Sequence, residues 1–159
     1  MGKLASQTMN QRRISVRKSP VHGRGVFAIQ NLEGGELVCE YKGKRVPWSE
    51  AMRRSSPDPA QPDHTFFFDV GDGFVIDGGN GGNSARWINH SCEPNCEPEL
   101  EAGHIFIRAL KSIGVGEELS IDYALVGGRR QSKRLRERYA CFCGAPDCRG
   151  TMLAGRRSR

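Results

Sequence analysis

Residues 86–96 read RWINHSCEPNC, and the six residues before them, 80–85, read NGGNSA. The stretch gathers Asn89, His90, Ser91, Cys92 and Cys96 between glycine- and asparagine-rich flanks. That much turn chemistry argues against a long regular element. Only SARWI (84–88) has the make-up of a short helical turn. On the residues alone three readings stand. Cys92 is a nucleophile with His90 as its base, which requires an orienting partner and an oxyanion hole that the stretch does not announce. His90 and Cys92 are metal ligands. Or the polar side chains satisfy loop backbone, the usual fate of isolated Asn and Ser.

Working outward, short apolar alternations bounded by Gly or Pro dominate residues 13–48: RISVRKS, GVFAIQN and GELVCEYKG. They read as strands. SEAMRRSS (49–56) is helical in composition with Ser49 as N-cap, and the Pro-rich PDPAQPD follows as a loop. HTFFFDV and GFVIDGG are joined by GDG, a hairpin signal. HIFIRAL and EELSIDYALV give two more strands, SKRLRERYA (132–140) is a basic helix, and CFCGAPDCRG (141–150) has no periodicity. About seven short strands and one or two short helices make a mainly β domain of the α+β kind. Twenty glycines and eight prolines in 159 residues demand frequent turns. No apolar run exceeds five residues, so a spanning helix is excluded, and the basic first 20 residues carry no signal-like apolar run.

The net charge of +6 is unevenly spread. Residues 1–20 hold five basic and no acidic residues, and residues 125–159 hold ten basic against two acidic. The body between them, 21–124, holds nine basic against sixteen acidic, a net −7. Cationic ends allow contact with nucleic acid, whereas an acidic body favours a cationic ligand, with EPELEAG (97–103) as a candidate lip. Cys141, Cys143 and Cys148 lie within eight residues, and Gly144 and Pro146 let the chain wrap back. Three thiols are one short of a closed tetrahedral zinc site, so a fourth ligand must come from Cys92, Cys96 or Cys39. Cys39, in a strand pattern, reads as a small core residue.

Five motifs then occur in order: HGRGVFA (22–28), GELVCEYKG (35–43), RWINHSC (86–92), GEELSIDY (116–123) and CFCGAPDCRG (141–150). In that order and rough spacing the chain resembles SET-domain protein lysine methyltransferases over roughly residues 13–153. The resemblance implies a β-clip-type fold of short sheets, in which the Asn-His segment forms a pseudoknot, and a zinc-bound post-SET tail. It implies a flexible basic arm at 1–12, a SET domain at 13–125, a basic helical linker at 126–140, a post-SET zinc segment at 141–153 and a basic tail at 154–159. S-adenosylmethionine would be held by Gly23, Arg24, Gly25, Asn89 and His90. Tyr123 would be the catalytic tyrosine, Tyr41 would line the place where methyl meets amine, and Phe67 would wall the lysine channel. Cys92, Cys141, Cys143 and Cys148 would hold zinc, with Cys96 structural.

The implied substrate is a lysine-containing basic protein or peptide, a histone-like tail among them. The implied setting is intracellular: cytoplasmic for a bacterial chain, nuclear or chromatin-bound for a eukaryotic or host-delivered one. The chain departs from the pattern in three places. Only Cys39 lies before residue 92, where many members carry a cysteine-rich region. Ile121 stands where Tyr or Phe is common, which favours higher methylation states. Thr65 stands where an aromatic is common, which would loosen the channel. A non-catalytic zinc-containing nucleic-acid- or protein-binding module is the rival reading, and a hydrolase built on Cys92 is another.

Overall fold

The computed structural model describes residues 12–54, 67–124 and 132–154. Thr65, the Pro-rich loop, the expected arm at 1–12 but for its last residue, and most of the expected tail lie outside the described residues, as do residues 126–131 of the expected linker. Among the described residues ten short strands form four small sheets, with two helices and a 3-10 turn beside them. Strand β1 (Ile14–Lys18) pairs antiparallel with β2 (Arg24–Ala28). Strand β3 (Leu37–Tyr41) pairs with β9 (His104–Ala109), which also pairs with β8 (Cys96–Glu101), all antiparallel. Strand β4 (Lys44–Pro47) and β5 (Phe67–Asp69) flank β6 (Phe74–Asp77), so the GDG hairpin forms as expected. Strand β7 (Asn89–His90) and β10 (Ser120–Ile121) make the one parallel pair among the described residues.

Helix α1 (Trp48–Arg54) follows β4, and α2 (Lys133–Arg138) is capped by the Ser132 hydroxyl, which accepts from Leu135 N–H at 3.1 Å. The expected turn at SARWI is a 3-10 turn, Ser84–Trp87, started by Asn83, whose side chain accepts from Ala85 N–H. Three strands, β4, β7 and β8, exist beyond the seven that the patterns suggested; β7 is two residues long, too short to show a period.

Strand β9 sets the core. Ile105, Ile107 and Ala109 are buried while His104, Phe106 and Arg108 turn outward, the period of two that a half-buried strand requires. The inward face joins Val26, Ala28, Leu32, Val38, Ile88, Ile113, Leu119 and Ile121 in one cluster. A smaller cluster of Val46, Ala51 and Val75 lies between α1 and the β4–β6 sheet. Cys96 is fully buried, and Cys39 packs against the main cluster. Loss of water pushes both thiols up to about 12, so they are inert packing groups. Truncating Ile107, which is fully buried at the centre of the three-stranded sheet, leaves a cavity. Ile107→Ala should therefore lower the unfolding free energy by about 2–5 kcal/mol in urea titration; a change under about 0.5 kcal/mol would place the core elsewhere.

Candidate active site

The site begins with one side-chain amide. Asn89 Nδ2 donates to the backbone carbonyls of His22 (3.1 Å) and Arg24 (3.0 Å) and to Glu118 Oε1 (2.9 Å). Two amide hydrogens serve three acceptors, so one is shared. Glu118 in turn accepts from the Ser19 hydroxyl through both oxygens, at 2.7 and 2.9 Å. The glycine-rich turn is thereby lashed to β7 from below and to the start of β10 from the side. Gly25 makes room for this: a Cβ there would lie 2.1 Å from Glu118 Oε1.

Parallel pairing sets Asn89 beside Ser120 and His90 beside Ile121, and Ser91 N–H continues the ladder to Ile121 O at 3.0 Å. Asn95 pins the same strand: its Oδ1 accepts from Ser120 N–H at 2.8 Å and its Nδ2 donates to Glu118 O at 2.9 Å. Tyr123 follows directly. Its N–H donates to His90 Nδ1 at 3.0 Å, its hydroxyl donates to the Ile88 carbonyl, and its ring meets the imidazole edge-on at 5.3 Å.

These bonds fix the protonation states. His90 Nδ1 is an acceptor, so the ring proton sits on Nε2, 3.4 Å from Cys92 Sγ. Asp122 Oδ1 lies 3.6 Å from Nδ1, but that nitrogen's lone pair already serves Tyr123. Burial disfavours the imidazolium and brings His90 down to about 4, against the pull of Asp122. The ring is neutral at pH 7. Burial raises Tyr123 well above the ordinary phenol value, and nearby Glu118 adds to it. Tyr41 is raised likewise, by burial first and then by Tyr123 and Asp77. Both stay protonated phenols.

Tyr41 ends β3, is 6% exposed, and sits over Gly78, where a Cβ would come 2.4 Å from its hydroxyl oxygen. Phe68 packs against it with ring centroids 4.9 Å apart. Phe67, the expected channel wall, points the other way, into the Val46–Ala51–Val75 cluster. Neighbours on a strand face opposite sides, so it is Phe68 that turns toward Tyr41. Ile121 is 2% exposed in the main cluster. A cleft of about 410 Å³ opens beside Tyr41, between Lys42, Arg45 and the β8–β9 turn. Glu40 and His104, 2.6 Å apart, form part of its lining. Along the expected acidic lip, Glu99 is bound by Arg108 (2.9 Å), while Glu97 and Glu101 are exposed.

The four cysteines meet. Their sulfurs all lie within 4.8 Å of one another, with Cys92 3.8 Å from Cys141 and 3.9 Å from Cys148. Thiolates about 2.3 Å from a central zinc ion sit about 3.8 Å apart in a tetrahedron, so the donor set and spacing fit that metal. Backbone amides of Arg149 and Gly150 point at Cys92 and Cys148 sulfur, each at 3.4 Å, as they would toward thiolates. Burial acts to raise Cys143, but hydrogen bonds from backbone amides and neighbouring thiols outweigh it and bring it to about 6. His90 bonds to the cluster without joining it. Of the fourth ligands that spacing left open, Cys92 is the one at the site; Cys39 and Cys96 belong to the core.

Turn, Asn-His strand, tyrosine and cysteine segment thus converge on one face of the β core. The SET domain family matches residues 23–124, and the chain belongs to that family. The chain is 36% identical over 140 residues to the histone-lysine N-methyltransferase trithorax of Drosophila virilis, covering 86% of this chain and 4% of that protein. It is 37% identical over 148 residues to the histone-lysine N-methyltransferase TRX1 of Oryza sativa subsp. japonica, covering 89% and 14%. Against the H3 lysine-4 specific histone-lysine N-methyltransferase of Saccharomyces cerevisiae it is 34% identical over 157 residues, covering 94% and 14%. The chain therefore spans only a small part of the length of these curated relatives.

Sequence reading missed Glu118, Asn95, Gly78, Phe68, Asp122 and Arg149. GEELSIDY and CRG do carry three of them, and the acid-rich start of the strand was the available signal. With zinc in place, a disulfide reagent should find no fast thiol; chelation should release four, and denaturant the remaining two, Cys39 and Cys96. Fast reaction of Cys92 alone, before chelation, would point instead to a lone nucleophile.

Proposed function

We propose that this chain transfers a methyl group from S-adenosylmethionine to the ε-amine of lysine in a basic protein, a histone tail being the substrate class that the relatives' names suggest. The observation that carries the reading is the double attachment of the Asn89–His90 strand, to the glycine turn on one side and to Tyr123 on the other. The backbone of Gly23, Arg24 and Gly25, with Asn89 and His90, would hold S-adenosylmethionine. Their chemistry fits: Gly23 and Arg24 are exposed, the turn is rich in backbone donors and acceptors, and the Trp87 ring lies beneath Arg24. When bound, S-adenosylmethionine supplies an electrophilic methyl group on a sulfonium.

The protein's part is to deliver a neutral amine in line. Free lysine is protonated at pH 7, with a pKa of about 10.4. Aromatic surroundings formed by Tyr41, Phe68 and Tyr123 would disfavour the ammonium by excluding water. The Tyr123 phenol is too weak an acid to serve as a base at neutral pH, and its hydroxyl proton is given to the Ile88 carbonyl. Its oxygen retains lone pairs with which to orient the incoming amine. Holding two reactants in line is worth about 7–11 kcal/mol, and little else is required of the site. Ile121 offers no hydroxyl to hold a water, which favours dimethyl or trimethyl products.

Zinc would be held by Cys92, Cys141, Cys143 and Cys148, ordering a loop-like segment that has too little apolar surface to order itself. The cleft beside Tyr41 is the entrance for the substrate, with Glu97 and Glu101 drawing basic peptides toward it. The basic residues of α2, all exposed, suit a further contact with nucleic acid near a chromatin-bound substrate. Among the described residues no helix is long and apolar enough to cross a membrane. We place the reaction inside the cell, in the nucleus if histones are the substrate and in the cytoplasm otherwise.

The test is incubation with methyl-labelled S-adenosylmethionine and a panel of basic proteins, followed by mass spectrometry of the modified residue. Label on lysine is expected. Tyr123→Phe should lower kcat by roughly 10²-fold while leaving S-adenosylmethionine affinity unchanged. Absence of label on every protein, together with steeply salt-dependent DNA binding, would favour the non-catalytic module.

A further inference from the structure

Two separate ties run from the cysteine cluster to the backbone of Tyr123. One passes through His90, which touches Cys92 sulfur with one ring nitrogen and the Tyr123 N–H with the other. The second is an ion pair that methyl-transfer chemistry does not by itself require. Arg149, next to Cys148, lays its guanidinium on the Asp122 carboxylate with two bonds of 2.9 Å each, Nη1 to Oδ2 and Nη2 to Oδ1. Nη2 also donates to the Leu153 carbonyl at 3.1 Å, and the Arg149 N–H points at Cys92 sulfur at 3.4 Å. Both partners are half-buried, at 26% and 33% exposure, so solvent screens the pair only in part. A two-point fork also fixes orientation, which a single contact does not.

Asp122 has a second duty. Its Oδ1 accepts from Ala124 N–H at 2.9 Å, and Ala124 stands at φ 44°, a left-handed conformation that is unfavourable for a non-glycine residue. The bend just after Tyr123 is therefore held closed by the same carboxylate that grips Arg149. Without it the backbone on the C-terminal side of Tyr123 has a reason to relax.

We propose that Asp122 and Arg149 form a positioning latch through which the cysteine segment sets the placement of the Tyr123 phenol. The inference rests on the methyl-transfer reading for its kinetic arm, but its structural arm does not. Loading the four cysteines brings Arg149 to Asp122, and Asp122 then closes the turn that fixes Tyr123 against Ile88. Neither residue touches the reacting atoms, and both act on Tyr123.

The test compares Arg149→Met, Arg149→Lys, Asp122→Asn and the double variant Asp122→Asn/Arg149→Met in the full chain. Zinc content, amide hydrogen exchange at residues 119–124, and kcat and KM for a lysine peptide are measured on each. The latch predicts that Arg149→Met and Asp122→Asn keep wild-type zinc content yet exchange the Tyr123 amide at least about tenfold faster. It predicts kcat lower by roughly 10²-fold with KM within about twofold, partial rescue in Arg149→Lys, and a double variant no worse than the worse single one. Wild-type protection of the Tyr123 amide in zinc-loaded variants would overturn it, as would additive losses. If Arg149→Met sheds zinc, Asp122→Asn decides, because it leaves the cysteine segment untouched. If the wild-type chain methylates nothing, the activity reading fails while the exchange measurement still decides the latch.

Discussion

One carboxamide holds the site together. Asn89 bonds two carbonyls of the glycine turn and a carboxylate of the strand that leads to Tyr123, which no apolar residue could do. Burial supplies the driving force for the fold, but it is non-directional. Registering a loop, a turn and a strand to within an ångström needs bonds with geometry, and here they meet at one nitrogen. Glu118 is the counterpart, and the missing Cβ of Gly25 is what lets its carboxylate in.

Protonation follows from the same packing. A neutral His90 can accept the Tyr123 amide and still offer a proton to sulfur; a charged one could not do the first. Tyr41 and Tyr123 stay protonated because each is deprived of water. A site of uncharged rings suits a reaction whose nucleophile must itself arrive uncharged. The acidic surface of the body lies outside that interior, at Glu97 and Glu101.

Much of this was legible in the chain. The alternation of HIFIRA gave β9, GDG gave the hairpin, and three clustered thiols gave the cysteine segment. What escaped has common physical causes. Strand β7 is two residues long, so no period exists to detect, and of the strand read at EELSIDYALV only Ser120–Ile121 forms. Phe67 and Phe68 are chemically equal, and only the pairing of β5 with β6 decides which one turns to Tyr41. Asp122 and Arg149 are ordinary surface residues until a partner 27 positions away turns them into a fork. Cys92 was one of three candidates because spacing says nothing about which distant thiol folds back.

The two-residue parallel pair has an implication for how the molecule matures. Its partners are thirty-one positions apart, the Ser19–Glu118 bond spans 99, and the sulfur contact from Cys92 to Cys148 spans 56. Loop-closure entropy must be met before such contacts reward it, so none of them can nucleate on its own. During synthesis the sheets around β9 have all their strands long before residue 148 has left the ribosome. The nascent domain would thus pass through a compact stage in which the main apolar cluster is complete while the four thiols are still apart.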